Sequence, residues 1–304
     1  MSFPLVAVSV DLDGLSRYFA LHGLTEHSPS HAVYDIALPR IRKFASECGL
    51  PLTLFAIAAD LARAETVTGL RGMLALGHEI GNHSLDHLYD LTLRQRTEQL
   101  HQVDTANEQF RALLSVRPAG FRAPGYTVTD ELLAVVRECG MAYDSSVFPC
   151  PPYYAAKAAA LIGMTLRGKR SGSIMDSPRV LRAPTSPYRI GQPYWSRGTG
   201  LLELPIQVAG LLRVPFIGTT LSLLGATGAR LLARSLIGQR FINLELHGVD
   251  FLEAQDVPAG LARVQPDLRV PWARKFDAFV AVLKLLRANG YGFVRFDEAA
   301  RALS

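Results

Sequence analysis

Strand-like and helix-like stretches alternate along nearly the whole chain, and this alternation limits the fold more than any other feature. The run at 6–10 reads as a buried strand, and short stretches at 52–57, 79–82, 120–122, 141–143, 202–206 and 241–246 read as further strands. Between them lie helical patterns at 32–47, before Gly77, at 92–114, from Thr129 to Cys139, and at 272–288, with a last strand at 292–295. Such an order predicts a parallel, barrel-like sheet with helices outside. Polar residues gather just after the strands: Asp11, Asp13, His83, His87, Arg122, Asp144 and His247. That is the end at which α/β sheets and barrels build their sites. At 304 residues the chain suits one large α/β domain, taken as 1–304, with an irregular and then apolar excursion at about 150–240.

Composition removes several classes of function. Cys48, Cys139 and Cys150 are an odd set without C-x-x-C spacing, so neither a disulfide framework nor a thiolate metal site is expected. The start, Met1-Ser2-Phe3-Pro4, lacks a basic region and a cleavage site, which predicts a cytoplasmic protein. A net charge of +5 with no Lys/Arg block argues against nucleic acid and leaves room for an acidic substrate or an anionic membrane.

The run Gly81-Asn82-His83-Ser84-Leu85-Asp86-His87 sets two imidazoles four positions apart. On a helix, or in a tight turn leading into one, positions i and i+4 share a face. Two neutral imidazoles there need a carboxylate and an open position to make a first-row metal site; the plainer alternative is two satisfied or solvated histidines. Of Asp11 and Asp13, one can complete a His-His-Asp set while the other serves as a base, or either can cap the turn at Gly14. Arg122 can grip a carboxylate through two hydrogen bonds, with a structural bridge to Asp144 as the alternative. Tyr126 or its backbone N–H can meet an oxyanion, and His247, closing an apolar strand, can protonate a leaving amine or simply pack.

Taken in order, Asp11-x-Asp13-Gly14, His83-Ser84-x-x-His87, Arg122-x-Pro124-x-Tyr126, Asp144 and Leu244-x-x-His247 resemble the motifs of the polysaccharide deacetylase family. This is the NodB-homology group, carbohydrate esterase family 4, and the resemblance spans about residues 5–300. It implies a deformed (β/α)7 barrel and a metal-dependent hydrolysis of an N-acyl group, acetyl or formyl, from an amino sugar. By position it implies that His83 and His87 hold a divalent metal with Asp13, and that Asp11 is the base for the attacking water. The two aspartates can exchange these roles. Arg122 then tethers the base, His247 is the acid, and Tyr126, Asp144, Phe148 and Trp195 are expected at the substrate. Zn²⁺ is the first expectation for the metal, with Co²⁺, Ni²⁺ or Mn²⁺ also accepted by such a ligand set. Two departures stand out: Leu12 separates aspartates that are adjacent in the family's common motif, and where the family usually carries a second aspartate and a tryptophan the stretch 144–149 has Phe148 as its one aromatic.

From Val214 to Ala229 the chain carries no charge, with Arg213, Arg230 and Arg234 around that run. Glycine and proline interrupt it too often for a spanning helix. It is either a buried helix pair or an apolar surface dipping into an anionic membrane. The second alternative suggests a carrier-linked or nucleotide-linked amino sugar, handled at the inner face of the cytoplasmic membrane. A small non-sugar amide and a non-catalytic carbohydrate- or lipid-binding barrel are the competing expectations.

Overall fold

The computed structural model describes residues 3–304; Met1 and Ser2, which the expected 1–304 domain includes, lie outside the described residues. In chain order the strands are β1 (Leu5–Asp11), β2 (Leu52–Ala56), β3 (Glu79–Asn82), β4 (Gly120–Phe121), β5 (Tyr143–Asp144), β6 (Tyr188–Ile190), β7 (Arg197–Glu203), β8 (Val208–Ala209), β9 (Val214–Pro215), β10 (Phe241–His247) and β11 (Gly292–Val294). The helices are α1 (Leu15–Leu21), α2 (Leu38–Cys48), α3 (Ala64–Ala75), α4 (Arg96–Leu114), α5 (Asp130–Glu138), α6 (Pro151–Leu166), α7 (Gly218–Arg234), α8 (Ala259–Val264), α9 (Trp272–Ala288) and α10 (Phe296–Leu303). They fall into two compact units, each assembled from separate stretches of chain.

The first unit holds the described part of Met1–Pro51, with Cys150–Gly172 and Gln207–Val294. Its centre is β1, whose Val6, Ala7, Val8 and Val10 are fully buried. A run without polar alternation is what a strand covered on both faces requires. β10 pairs with it in parallel along its whole length, from Leu5↔Phe241 to Asp11↔His247, and β11 pairs in parallel from Leu5↔Gly292 to Ala7↔Val294. Helices α2 and α9 bring an aromatic cluster: Phe44 meets Phe251 at 5.6 Å and Phe279 at 6.1 Å, and Trp272 meets Phe251 at 5.1 Å. A wide π-helical turn, Val33–Ala37, leads into α2, which ends at Gly49 with φ 57°, a left-handed stop that glycine adopts without strain.

The second unit holds Leu52–Pro149, Ser173–Ile206 and Arg295–Ser304. Its strands run in the order β2-β3-β4-β5-β7-β6, parallel except for the antiparallel β6–β7 pair. The final helix, α10, was not anticipated from the sequence pattern. Phe296 at its start packs on Phe55 and Tyr143, and its N–H donates to Thr53 Oγ1 at 2.9 Å. Glu79 ties the same region together, accepting from Thr53 Oγ1 at 2.6 Å, Tyr143 Oη at 2.9 Å and the Asp297 N–H at 3.0 Å.

The alternating elements and their polar C-terminal ends therefore stand as expected. Within the excursion expected at about 150–240 lie the sixteen-residue α6 and the β6–β7 pair. Among the described residues no helix is long and apolar enough to cross a membrane.

Candidate functional site

In the first unit, the in-register pairing of β1 with β10 sets Asp11 beside His247 at the ends of their strands. Glu245, two residues back on β10, is fully buried and reaches His247 Nδ1 at 3.2 Å. Asp11, Glu245 and His247 each offer a ligand-type atom, all within 4.8 Å of one another. Burial alone would depress the His247 imidazole, but the carboxylates of Glu245, Asp11, Asp13 and Asp250 outweigh it and lift its pKa to about 9. His247 is thus an imidazolium at neutral pH, a proton donor. Asp250 anchors its backbone, accepting the His247 N–H at 2.8 Å. Burial, followed by the neighbouring Asp267, raises Asp250 to about 7. Asp13 is buried in this unit.

In the second unit, the two histidines occupy a turn rather than a helix face. Ser84 and His87 both take positive φ, 67° and 54°, a conformation that side-chain-bearing residues hold only when their surroundings compel it. Those surroundings are visible. The Ser84 N–H donates to Asn82 Oδ1 at 2.7 Å, and the His87 N–H donates to Ser84 Oγ at 3.0 Å. Asn82 is itself held by donating to the Val103 carbonyl and to Asn107 Oδ1. Ser84 therefore shapes the turn.

His83 is oriented by a 2.7 Å hydrogen bond from Nδ1 to the carbonyl of Arg122. A carbonyl can only accept, so Nδ1 carries the proton and Nε2 keeps its lone pair. The His87 ring stands edge-on to it, with centroids 4.8 Å apart. This is the tautomer and companionship that a metal-binding histidine needs, with the second ring nitrogen fixed by an acceptor. On that observation the imidazole pair fits a first-row divalent cation.

Arg122 is fully buried. Its Nε donates to the Ser145 carbonyl at 2.8 Å and its terminal nitrogen to Ser145 Oγ at 2.9 Å, while the guanidinium lies 4.1 Å over the Phe55 ring. The cation–π contact replaces part of the lost hydration. Asp144 lies at the end of β5, fully buried, and both its oxygens accept from Ser146, the N–H at 3.0 Å and Oγ at 2.9 Å. Ser146 Oγ in turn accepts the Ala123 N–H at 2.8 Å. Asp144 thereby braces the loop that positions Arg122.

Glu203 was not singled out from the sequence, since Leu202-Glu203-Leu204 reads as an ordinary strand. It is fully buried, accepts the Val147 N–H at 3.0 Å and shares a hydrogen bond with Asp144. Burial and then Asp144 push Glu203 well above the carboxylate range, while burial raises Asp144 against the lowering effect of that shared bond. Burial thus favours the neutral form of the Glu203 carboxyl beside Asp144. Glu245 escaped notice for a similar reason, lying inside an apolar strand.

Tyr126, at φ 60°, packs on the buried Phe148 with ring centroids 5.5 Å apart. Its backbone N–H, one of the two expected oxyanion donors, closes a turn on the Ala123 carbonyl at 3.1 Å. Trp195 lies in the turn joining β6 and β7, against Tyr194 at 5.0 Å and beneath Arg179 at 5.6 Å.

The polysaccharide deacetylase family model matches residues 34–143. No curated protein matches the sequence. Among solved structures, a Mycobacterium smegmatis protein assigned to the polysaccharide deacetylases is 17% identical, with a TM-score of 0.58 over 99% of this chain and 91% of that one. A mutant of a CE4 family pseudoenzyme with restored enzymatic activity is 13% identical, with a TM-score of 0.50 over 98% of this chain and 68% of that one. These likenesses show the fold, the deformed barrel of the NodB-homology type.

Proposed function

We propose, from the premise that this chain belongs to the polysaccharide deacetylase family, that it is a hydrolase removing an N-acetyl or N-formyl group from an amino sugar. The observation that carries the reading is His83, whose Nδ1–H is committed to the Arg122 carbonyl so that Nε2 is presented beside His87. In this reading Asp13, His83 and His87 hold a divalent cation, with Zn²⁺ first and Co²⁺, Ni²⁺ or Mn²⁺ as alternatives. Such an ion lowers the pKa of water from 15.7 to about 7 and polarises an acyl oxygen. Asp11 accepts a proton from the attacking water, with Arg122 fixing the polar surroundings of the base. His247, an imidazolium at neutral pH, returns a proton to the nitrogen as the C–N bond breaks. Tyr126 and Trp195 contact the sugar. The substrate is carrier-linked or nucleotide-linked, and the protein works at the cytoplasmic face of a membrane.

The test is a mass-spectrometric screen for acyl loss with metal-loaded protein and His83→Ala as the blank. The panel contains N-acetyl and N-formyl amino sugars in free, oligomeric, nucleotide-linked and polyprenyl-linked forms. Acyl loss from the linked members supports the full reading. Loss from soluble oligomers keeps the chemistry and removes the carrier. Silence throughout directs attention to small non-sugar amides or to a binding barrel.

A further inference from the structure

Strands β8 and β9 form a two-stranded antiparallel hairpin whose four-residue tip is Gly210-Leu211-Leu212-Arg213. The two leucines are the apex, 103% and 78% exposed. Adjacent leucines in water at a hairpin tip leave apolar area that a protein surface ordinarily covers. Helix α6 packs against β9, and Cys150, the residue before the helix, donates its thiol to the Arg213 carbonyl at 3.1 Å. This helix is built of Pro, Tyr, Ala, Leu, Ile, Met, Gly and Thr with Lys157 as its one charge, yet Tyr154 is its one buried residue. Ile162 and Leu166 on it are exposed. An apolar helix and an apolar hairpin tip thus adjoin, both facing water.

Charge identifies what covers them. Cys150–Gly172 and residues 207–244 contain no Asp or Glu but eight Lys and Arg residues, which leaves more acids than bases in the rest of the chain. Arg167, Lys169 and Arg170 directly follow α6, and Arg213 directly follows the leucine pair. A second copy of the chain docking here by a two-fold axis would bring Arg213 and the basic run Arg167, Lys169 and Arg170 toward their own copies, which Coulomb repulsion opposes. An acidic phospholipid surface offers the opposite charge at headgroup depth and an apolar phase just below it.

We propose that the β8–β9 hairpin tip and α6 form an interfacial anchor: Leu211 and Leu212 enter the acyl boundary of an anionic bilayer while the flanking Arg and Lys side chains meet lipid phosphates. Long basic side chains suit this because their apolar stems can lie along the boundary while their heads stay with the phosphates. This deepens the carrier-linked reading above. It concerns lipid binding without turnover, so the two fail separately.

The experiment is vesicle flotation of the full-length protein at about 0.1 M salt, where the Debye length is about 10 Å. Phosphatidylcholine vesicles are compared with vesicles containing phosphatidylglycerol. The anchor predicts binding at least about tenfold stronger to the anionic vesicles, lost in high salt. L211S/L212S should cut binding about tenfold or more, and because both side chains are exposed the variant keeps its fold. L76S, at an exposed leucine of the second unit, should leave binding unchanged. In a separate readout, L211W should show a blue-shifted emission on adding anionic vesicles and not neutral ones. No flotation, or flotation indifferent to the leucine pair, overturns the proposal. So does an oligomer in sedimentation that L211S/L212S dissolves, since the tip would then be covered by a second copy.

Discussion

His247 shows how one residue's chemistry is set by its neighbours. Its folded-state pKa of about 9 lies above the ordinary 6.5, so its contribution to stability is complete below about 6.5 and disappears as pH rises through about 9. As the proposed acid it must carry a proton, so activity should fall along an alkaline limb as His247 loses it. Glu245→Gln removes the strongest of the raising charges and should move this limb toward neutrality, read from pH–rate profiles of acyl release. Glu203 gives the complementary case. Its carboxyl, raised by burial and by Asp144, holds a proton whose stabilising effect is complete below the ordinary 4.5 and declines as pH rises toward the folded value. Glu203→Gln keeps a donor toward Asp144 without titrating. The variant should match the native protein near pH 4.5 and become progressively more stable than it above, as read from urea midpoints.

At the scale of elements, the 83–87 turn is held by hydrogen bonds that can be removed singly. Ser84→Ala deletes the acceptor for the His87 N–H at a residue already in the left-handed region. If the imidazole pair holds a metal, zinc affinity should fall about 10- to 100-fold in a chelator competition with the far-UV spectrum unchanged. The sequence conveyed this turn's donors but not its shape, because two positive φ values at Ser84 and His87 depend on Asn82 and α4, which no local pattern announces. Most strands and helices were legible because burial imposes their period, as in β1 and α9. Helix α6 was not. Its leading Pro151-Pro152 looks like a breaker, although proline fits the first turn of a helix, and with Tyr154 its one buried residue there is no apolar stripe to read. The two buried glutamates were invisible for a related reason: a single acid within an apolar strand signals a partner only once the neighbouring strands are in place.

For the molecule as a whole, the sequence conveyed a parallel α/β architecture but not the way each unit draws on distant stretches of chain. Arg295–Ser304 illustrates this, since these ten residues belong with β2 and β3 rather than with β11, which they directly follow. Phe296 fills the space between Phe55 and Tyr143, so Phe296→Ala should destabilise the second unit by about 3–5 kcal/mol, measured by chemical denaturation. The β1–β10 pairing extends the point to biosynthesis. Asp11 emerges from the ribosome early, but its in-register neighbour His247 is made only after most of the chain has been translated. At 5–20 residues per second, that interval is roughly 10–50 s. Throughout it the β1 edge that will receive β10 is without that strand, and the Asp11–Glu245–His247 cluster does not exist. A nascent chain, or one terminated before β10, therefore lacks its proposed acid, and the buried strand β1 is without its full-length partner until translation is nearly complete.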